Sequence, residues 1–136
     1  MLLATNINDV LENFDFTDSI VTEIKWEKQL LDLVLLVDYY WDLQEGCAET
    51  RMLKLTFRNC VKADFQLKRD ILPLSNELVN SESCYTIVLF KANETSQLLE
   101  QYGIDRLKHI ELFTLDYSTA WLSILCDEVT LEHIEI

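Results

Sequence analysis

Residues 30–42 read Leu30-Leu31-Asp32-Leu33-Val34-Leu35-Leu36-Val37-Asp38-Tyr39-Tyr40-Trp41-Asp42. Taken alternately, Leu31, Leu33, Leu35, Val37, Tyr39 and Trp41 fall on one face, and Asp32, Val34, Leu36, Asp38, Tyr40 and Asp42 on the other. A period of two belongs to a β-strand, whose successive side chains point to opposite sides, and β-branched and aromatic residues favour that conformation. The stretch predicts a long central strand whose apolar face must be covered by a second layer. Its apolar run, interrupted at Asp32 and closed at Asp38, falls far short of the roughly 20 residues that cross a bilayer as a helix, so no membrane span is expected.

The same period recurs on both sides. Upstream, Ile20, Ile24 and Trp26 alternate with Glu23, Lys25 and Glu27, a half-buried strand. Downstream, after a polar turn at Gln44, Glu45 and Gly46, the series Leu53, Leu55, Phe57, Val61, Ala63, Phe65, Leu67 alternates with polar residues over a length that requires a bent strand or two consecutive ones. Arg58-Asn59-Cys60 is the place for a bend or a bulge. After a looser segment from Asp70 to Ser83 that contains Pro73, strand character resumes over Tyr85–Phe90, then at Lys108–Asp116 and Trp121–Leu131, the last two flanking Tyr117-Ser118-Thr119-Ala120 as a hairpin connection.

Two segments break the period. Ile7, Val10, Leu11 and Phe14 follow helical spacing, with Asn6 to cap the helix and Asp9 in its first turn, where the helix dipole favours a negative charge. Residues 96–102 predict a second short helix, closed by Gly103 in a left-handed cap. The expected fold is mainly β with a minor helical part: about six antiparallel strands in a strongly curved or sandwich-like sheet, with two short helices. With only Gly46, Gly103 and Pro73 as strong punctuators and no linker or repeat, residues 1–136 are expected to form a single domain.

Composition narrows the compartment and the partners. The amino terminus carries no signal-peptide pattern, and four separated cysteines (Cys47, Cys60, Cys84, Cys126) contain no Cys-x-x-Cys pair, so buried free thiols in the cytoplasm are expected. Against 11 Lys and Arg stand 24 Asp and Glu, a net charge of −13. Such a surface repels nucleic acid and anionic lipid, and it speeds encounter with a basic protein; the same acidity also serves plain solubility.

Catalytic patterns are missing. There is no nucleophile elbow, phosphate-binding glycine loop, zinc-binding helix or calcium loop, so no cofactor or metal is expected and the chain is read as a non-enzyme. His109, inside a strand, and His133, near the end of the sequence, are the two side chains that titrate near neutrality, and neither sits in a motif. An enzyme would require one of them to meet a carboxylate in a pocket.

One constellation suits binding. Asp38, Tyr39, Tyr40, Trp41 and Asp42, followed by Glu45 and Glu49, place aromatic anchors among carboxylates at a strand end and its turn. Tyr39 and Trp41 belong to the apolar face and read as core. That leaves Asp38, Tyr40, Asp42, Glu45 and Glu49 as candidate partner-binding residues.

The order Asp18-Ser19-Ile20, Glu23-Ile24-x-Trp26, Asp38-Tyr39-Tyr40-Trp41-Asp42 and Leu53-x-Leu55-x-Phe57-x-Asn59-Cys60 resembles small bacterial proteins of the Bacillus kind that sit among the immunity proteins of polymorphic toxin systems. The resemblance covers Phe16 to about Gln66. It departs at Thr17-Asp18, where several such relatives carry His-Asp, and no role is assigned to that position. It implies a cytoplasmic inhibitor that blocks a cognate toxin, without cofactor or turnover. The alternatives are a subunit of a homo-oligomer, associating through strand edges or apolar faces, and a small enzyme of unknown class.

Overall fold

In the computed structural model of the protein, residues 1–66, 85–87, 89–113 and 120–134 are described. Their order is β1 (Leu2–Ala4), α1 (Ile7–Asn13), β2 (Ile20–Glu27), β3 (Asp32–Tyr39), α2 (Trp41–Gln44), β4 (Arg51–Arg58), β5 (Lys62–Phe65), β6 (Tyr85–Thr86), β7 (Leu89–Ala92), α3 (Gln97–Tyr102), β8 (Lys108–Phe113), β9 (Leu122–Cys126) and β10 (Glu128–Ile134). Two antiparallel sheets result, one of six strands ordered β1-β10-β4-β3-β2-β6 and one of four ordered β5-β9-β8-β7. The mainly β, antiparallel fold is therefore as the periodicity predicts.

The alternating apolar sets become cross-strand rows. Ile24, Leu35, Leu55 and Leu131 stand side by side across β2, β3, β4 and β10, and Ala92, Ile110, Ile124 and Ala63 do so across the smaller sheet. Both rows belong to one hydrophobic cluster, so the sheets share a core. Each fully buried Leu or Ile there contributes about 1.5–3 kcal/mol relative to exposure.

Among the described residues ten strands stand where about six are expected, because three apparent runs divide between the sheets and Leu2–Ala4 adds β1 beside β10. The run over Leu53–Phe65 breaks at Asn59, which takes a left-handed conformation (φ 49°) and donates its backbone N–H to Asp32 Oδ1 at 3.1 Å. The run over Trp121–Leu131 breaks at Asp127, whose N–H donates to the Arg58 carbonyl at 2.8 Å. Asn59 Nδ2 donates to Asp127 Oδ2 at 3.3 Å, so both sheet changes are bound at one corner. The run over Tyr85–Phe90 breaks at Ile87, which bonds to both sides of Ser19: its carbonyl accepts from Asp18 at 2.8 Å and its N–H donates to the Ser19 carbonyl at 2.7 Å.

Other departures have local causes. A bulge between Val21 and Glu23 turns Val21 inward in place of Ile20, and at the far end of β2 Trp26, opposite buried Leu33, is 39% exposed. β3 ends at Tyr39, since Tyr40 takes a helical conformation and starts α2, a third helix the alternation did not reveal. Both expected helices form, α1 with the Asn6 side chain accepting from the Asp9 N–H and α3 with the Ser96 side chain accepting from the Leu99 N–H and Gly103 left-handed at its end. β8 and β9 pair as expected; their connection, the looser segment with Pro73, and Cys84 lie outside the described residues. Among the described residues, no helix is long and apolar enough to cross a membrane.

Candidate binding groove

The end of α1 and the start of α2 come together because an aromatic core cluster sits beneath them. Phe14 leaves α1 in an extended conformation, and Phe14 and Phe16 pack edge-on against Tyr39 with ring centres 5.9 and 5.4 Å away. Phe16 also meets Phe90 of β7 at 5.3 Å. The backbone between them is fixed by polar contacts. Asp15 donates its N–H to Tyr39 Oη at 3.0 Å, Thr17 donates to Asp15 Oδ1 at 2.9 Å, and buried Ser19 accepts the Tyr40 N–H at Oγ, 3.0 Å away.

Over this cluster opens a groove of about 500 Å³, lined by Leu11, Glu12, Asn13, Phe14, Asp15, Phe16, Thr17, Trp41, Glu45, Leu89 and Phe90. That volume lies within the roughly 300–1,000 Å³ typical of ligand clefts. Three carboxylates, Glu12, Asp15 and Glu45, are exposed along it, and among the described residues the lining contains no Lys, Arg or His. Trp41 is oriented by its own Nε1–H, which donates to Glu45 Oε1 at 2.8 Å. The site sets aromatic and aliphatic side chains beside exposed carboxylates, the chemistry that receives a cationic group attached to an apolar or extended ligand.

Of the five residues expected to meet a partner, Glu45 lies in the groove. Tyr40 is 38% exposed and Glu49 is exposed, both outside the groove lining. Asp38, half-buried on β3, faces Ile20 and Met52 on the neighbouring strands. Asp42 requires a correction, because it is only 2% exposed and is consumed internally. With β3 ended at Tyr39, Asp42 turns inside, where Arg51 Nη2 donates to Oδ1 at 2.9 Å and Arg51 Nε and N–H donate to Oδ2 at 3.0 and 2.9 Å. Burial works to raise the Asp42 carboxyl, but the Arg51 side chain and backbone hold it below the ordinary value. Arg51 in turn lies over the Tyr39 ring, 5.6 Å from its centre. The expected shared face of Asp38, Tyr40 and Asp42 therefore does not exist.

The residues that sequence reasoning missed are Glu12, Asp15, Phe14, Phe16, Leu89 and Phe90. Phe14-Asp15-Phe16 carries the same mixture of aromatic and acidic side chains as residues 38–42, and that repetition was the available signal.

Neither histidine lines the groove. His109 lies on the opposite face of the smaller sheet's β8 from the core, where its Nε2 is bonded to Ser123 Oγ. Its Nδ1 is buried without a hydrogen-bond partner among the described residues, where a nucleophilic triad would place a carboxylate. The nearby Glu111 instead accepts from Asn93 Nδ2 at 3.0 Å. Burial pushes the His109 pKa down. His133, half-buried on β10, stands opposite Leu53. Cys126 is buried and its thiol pKa is driven well up by that burial, Cys60 is half-buried, and Cys47 is exposed, contrary to the expectation of buried thiols throughout. Among the described residues no group of three or more His, Cys, Asp or Glu side chains forms a metal-binding set.

Comparison of the sequence with protein-family models and with curated proteins finds no match.

Proposed function

We propose that this protein is a non-enzymatic binding protein, an immunity-like inhibitor that neutralises a cognate bacterial toxin in the cytoplasm by holding a basic surface of it against the acidic groove. The observation that carries the reading is the groove itself: three exposed carboxylates beside aromatic side chains, with no cation in the lining among the described residues. A net charge of −13 supports it, because a field of that sign steers a basic protein in and turns nucleic acid away. The groove supports a basic partner, and the resemblance over Phe16 to Gln66 supports a toxin as that partner.

The test is protection of growth when the protein is co-expressed with a toxin encoded beside it. Wild type is expected to protect, and a variant combining Glu12→Gln, Asp15→Asn and Glu45→Gln, all at exposed positions, is expected to lose protection while keeping its melting temperature. Full protection by that variant overturns the reading. A second reading, assembly with further copies, draws on the β2–β3 turn, where Trp26, Leu30 and Leu31 are exposed beside Val61. A monomer in light scattering at high concentration removes it.

A further inference from the structure

Resting on that reading, we infer that the groove's occupant is an extended, arginine-bearing segment of the partner protein, laid against the outer edge of β7. At about 500 Å³ the groove has room for more than one inserted side chain. One of its walls is Leu89 and Phe90, the first two residues of β7, and β7 ends the four-stranded sheet among the described residues.

The hydrogen-bond phase of β7 says which of its groups are free. Ala92 stands opposite Ile110, which places Asn93 opposite His109, and Asn93 donates its N–H to the His109 carbonyl at 2.8 Å. In an antiparallel ladder bonded and non-bonded pairs alternate, so Lys91 is bonded to β8, while Phe90 and Ala92 turn their N–H and C=O groups to the open edge. An added strand satisfies such groups, and backbone bonds of this kind give a peptide affinity without regard to its sequence.

Selectivity comes from the exposed carboxylates along the groove. Glu12 makes no hydrogen bond among the described residues, Asp15 spends only Oδ1 on Thr17, and Glu45 spends only Oε1 on Trp41. Acceptor oxygens therefore remain on three carboxylates, in the same groove lining as Trp41 and Phe14. A guanidinium fits this set better than an ammonium, since its planar fork pairs with carboxylates and stacks on aromatic rings.

The experiment titrates the full chain with a blocked Val-Arg-Leu-Arg-Val peptide by calorimetry. Three controls accompany it: the same peptide with citrulline for arginine, the peptide N-methylated at alternate amides, and spermidine. One-to-one binding that weakens with salt is expected, with a loss of about tenfold or more in the citrulline peptide, in the N-methylated peptide, and in the Asp15→Asn, Glu45→Gln double variant. The inference is overturned if wild type fails to bind the arginine peptide, if the citrulline or N-methylated peptide binds as well, if the double variant is unaffected, or if spermidine binds as tightly. Failure here with groove-dependent growth protection intact removes the extended segment and leaves the binding function standing. Groove-independent protection removes both.

Discussion

The backbone N–H of Asp15, on the rim of the groove, donates to the phenol oxygen of Tyr39, buried in the core, at 3.0 Å. Tyr39 does not line the groove, yet it sets the position of a residue that does. Tyr39→Phe keeps the ring contacts with Phe14 and Phe16 and removes only the acceptor. The variant is expected to lose about 1 kcal/mol of stability, the usual net value of one such bond. Amide exchange at Asp15 and Thr17 should accelerate with it, and unchanged exchange there would show that the loop holds itself.

Asp42 and Arg51 form the other support of this end of the molecule. Replacing Asp42 by Asn removes the charge that receives three Arg51 donors and is expected to cost about 2 kcal/mol at neutral pH, less than the roughly 3–5 kcal/mol of a fully buried pair because the Arg51 side chain keeps 35% of its exposure. The folded carboxyl titrates below its ordinary 3.8, so the unfolded chain takes up the proton first as acid is added. The pair's contribution is fully present above that value and disappears as pH falls through the folded one. Denaturant titrations of both proteins should therefore differ at pH 7 and converge in strong acid; a gap that persists there would contradict the assignment.

His109 produces a pH dependence of the same sign in a higher window. Burial disfavours its charged form, against the opposing pull of Glu111 and Asp64, with Lys62 and Lys91 acting alongside burial. Its folded pKa lies below the ordinary 6.5, so stability is complete above that value and falls as pH drops toward the depressed one. Melting temperatures of wild type and His109→Gln, measured from pH 8 to 5, are expected to show the wild type losing more. Parallel curves would place the imidazole in water.

The fold was legible where the rule was local. Asn6, Ser96 and Gly103 announce helix ends because capping is decided within a few residues, and the inner rows of β3, β4, β8 and β9 follow from a period of two. What alternation does not encode is the sheet a strand joins. The unbroken rhythm through Leu53–Phe65 continues while the chain turns at Asn59, held there by Asp32 and Asp127, which are distant in sequence. The same blindness hid the groove. Glu45 lines the groove, whereas Asp42, its equivalent in the sequence, is held inside by the Arg51 that the pairing of β3 with β4 brings to it. Glu12 and Asp15 became neighbours of Glu45 only through the packing of Phe14 and Phe16 on Tyr39.

The central claim, that the acidic groove is the surface through which this protein meets its partner, is tested most directly by amide hydrogen exchange of the protein with and without the partner that the growth-protection test identifies. The account predicts new protection at Asp15, Thr17, Trp41, Glu45 and Phe90, weakened by salt as charge pairs are screened. Protection confined to the outer faces of the sheets or to the β2–β3 turn, with these five positions unchanged, would contradict it.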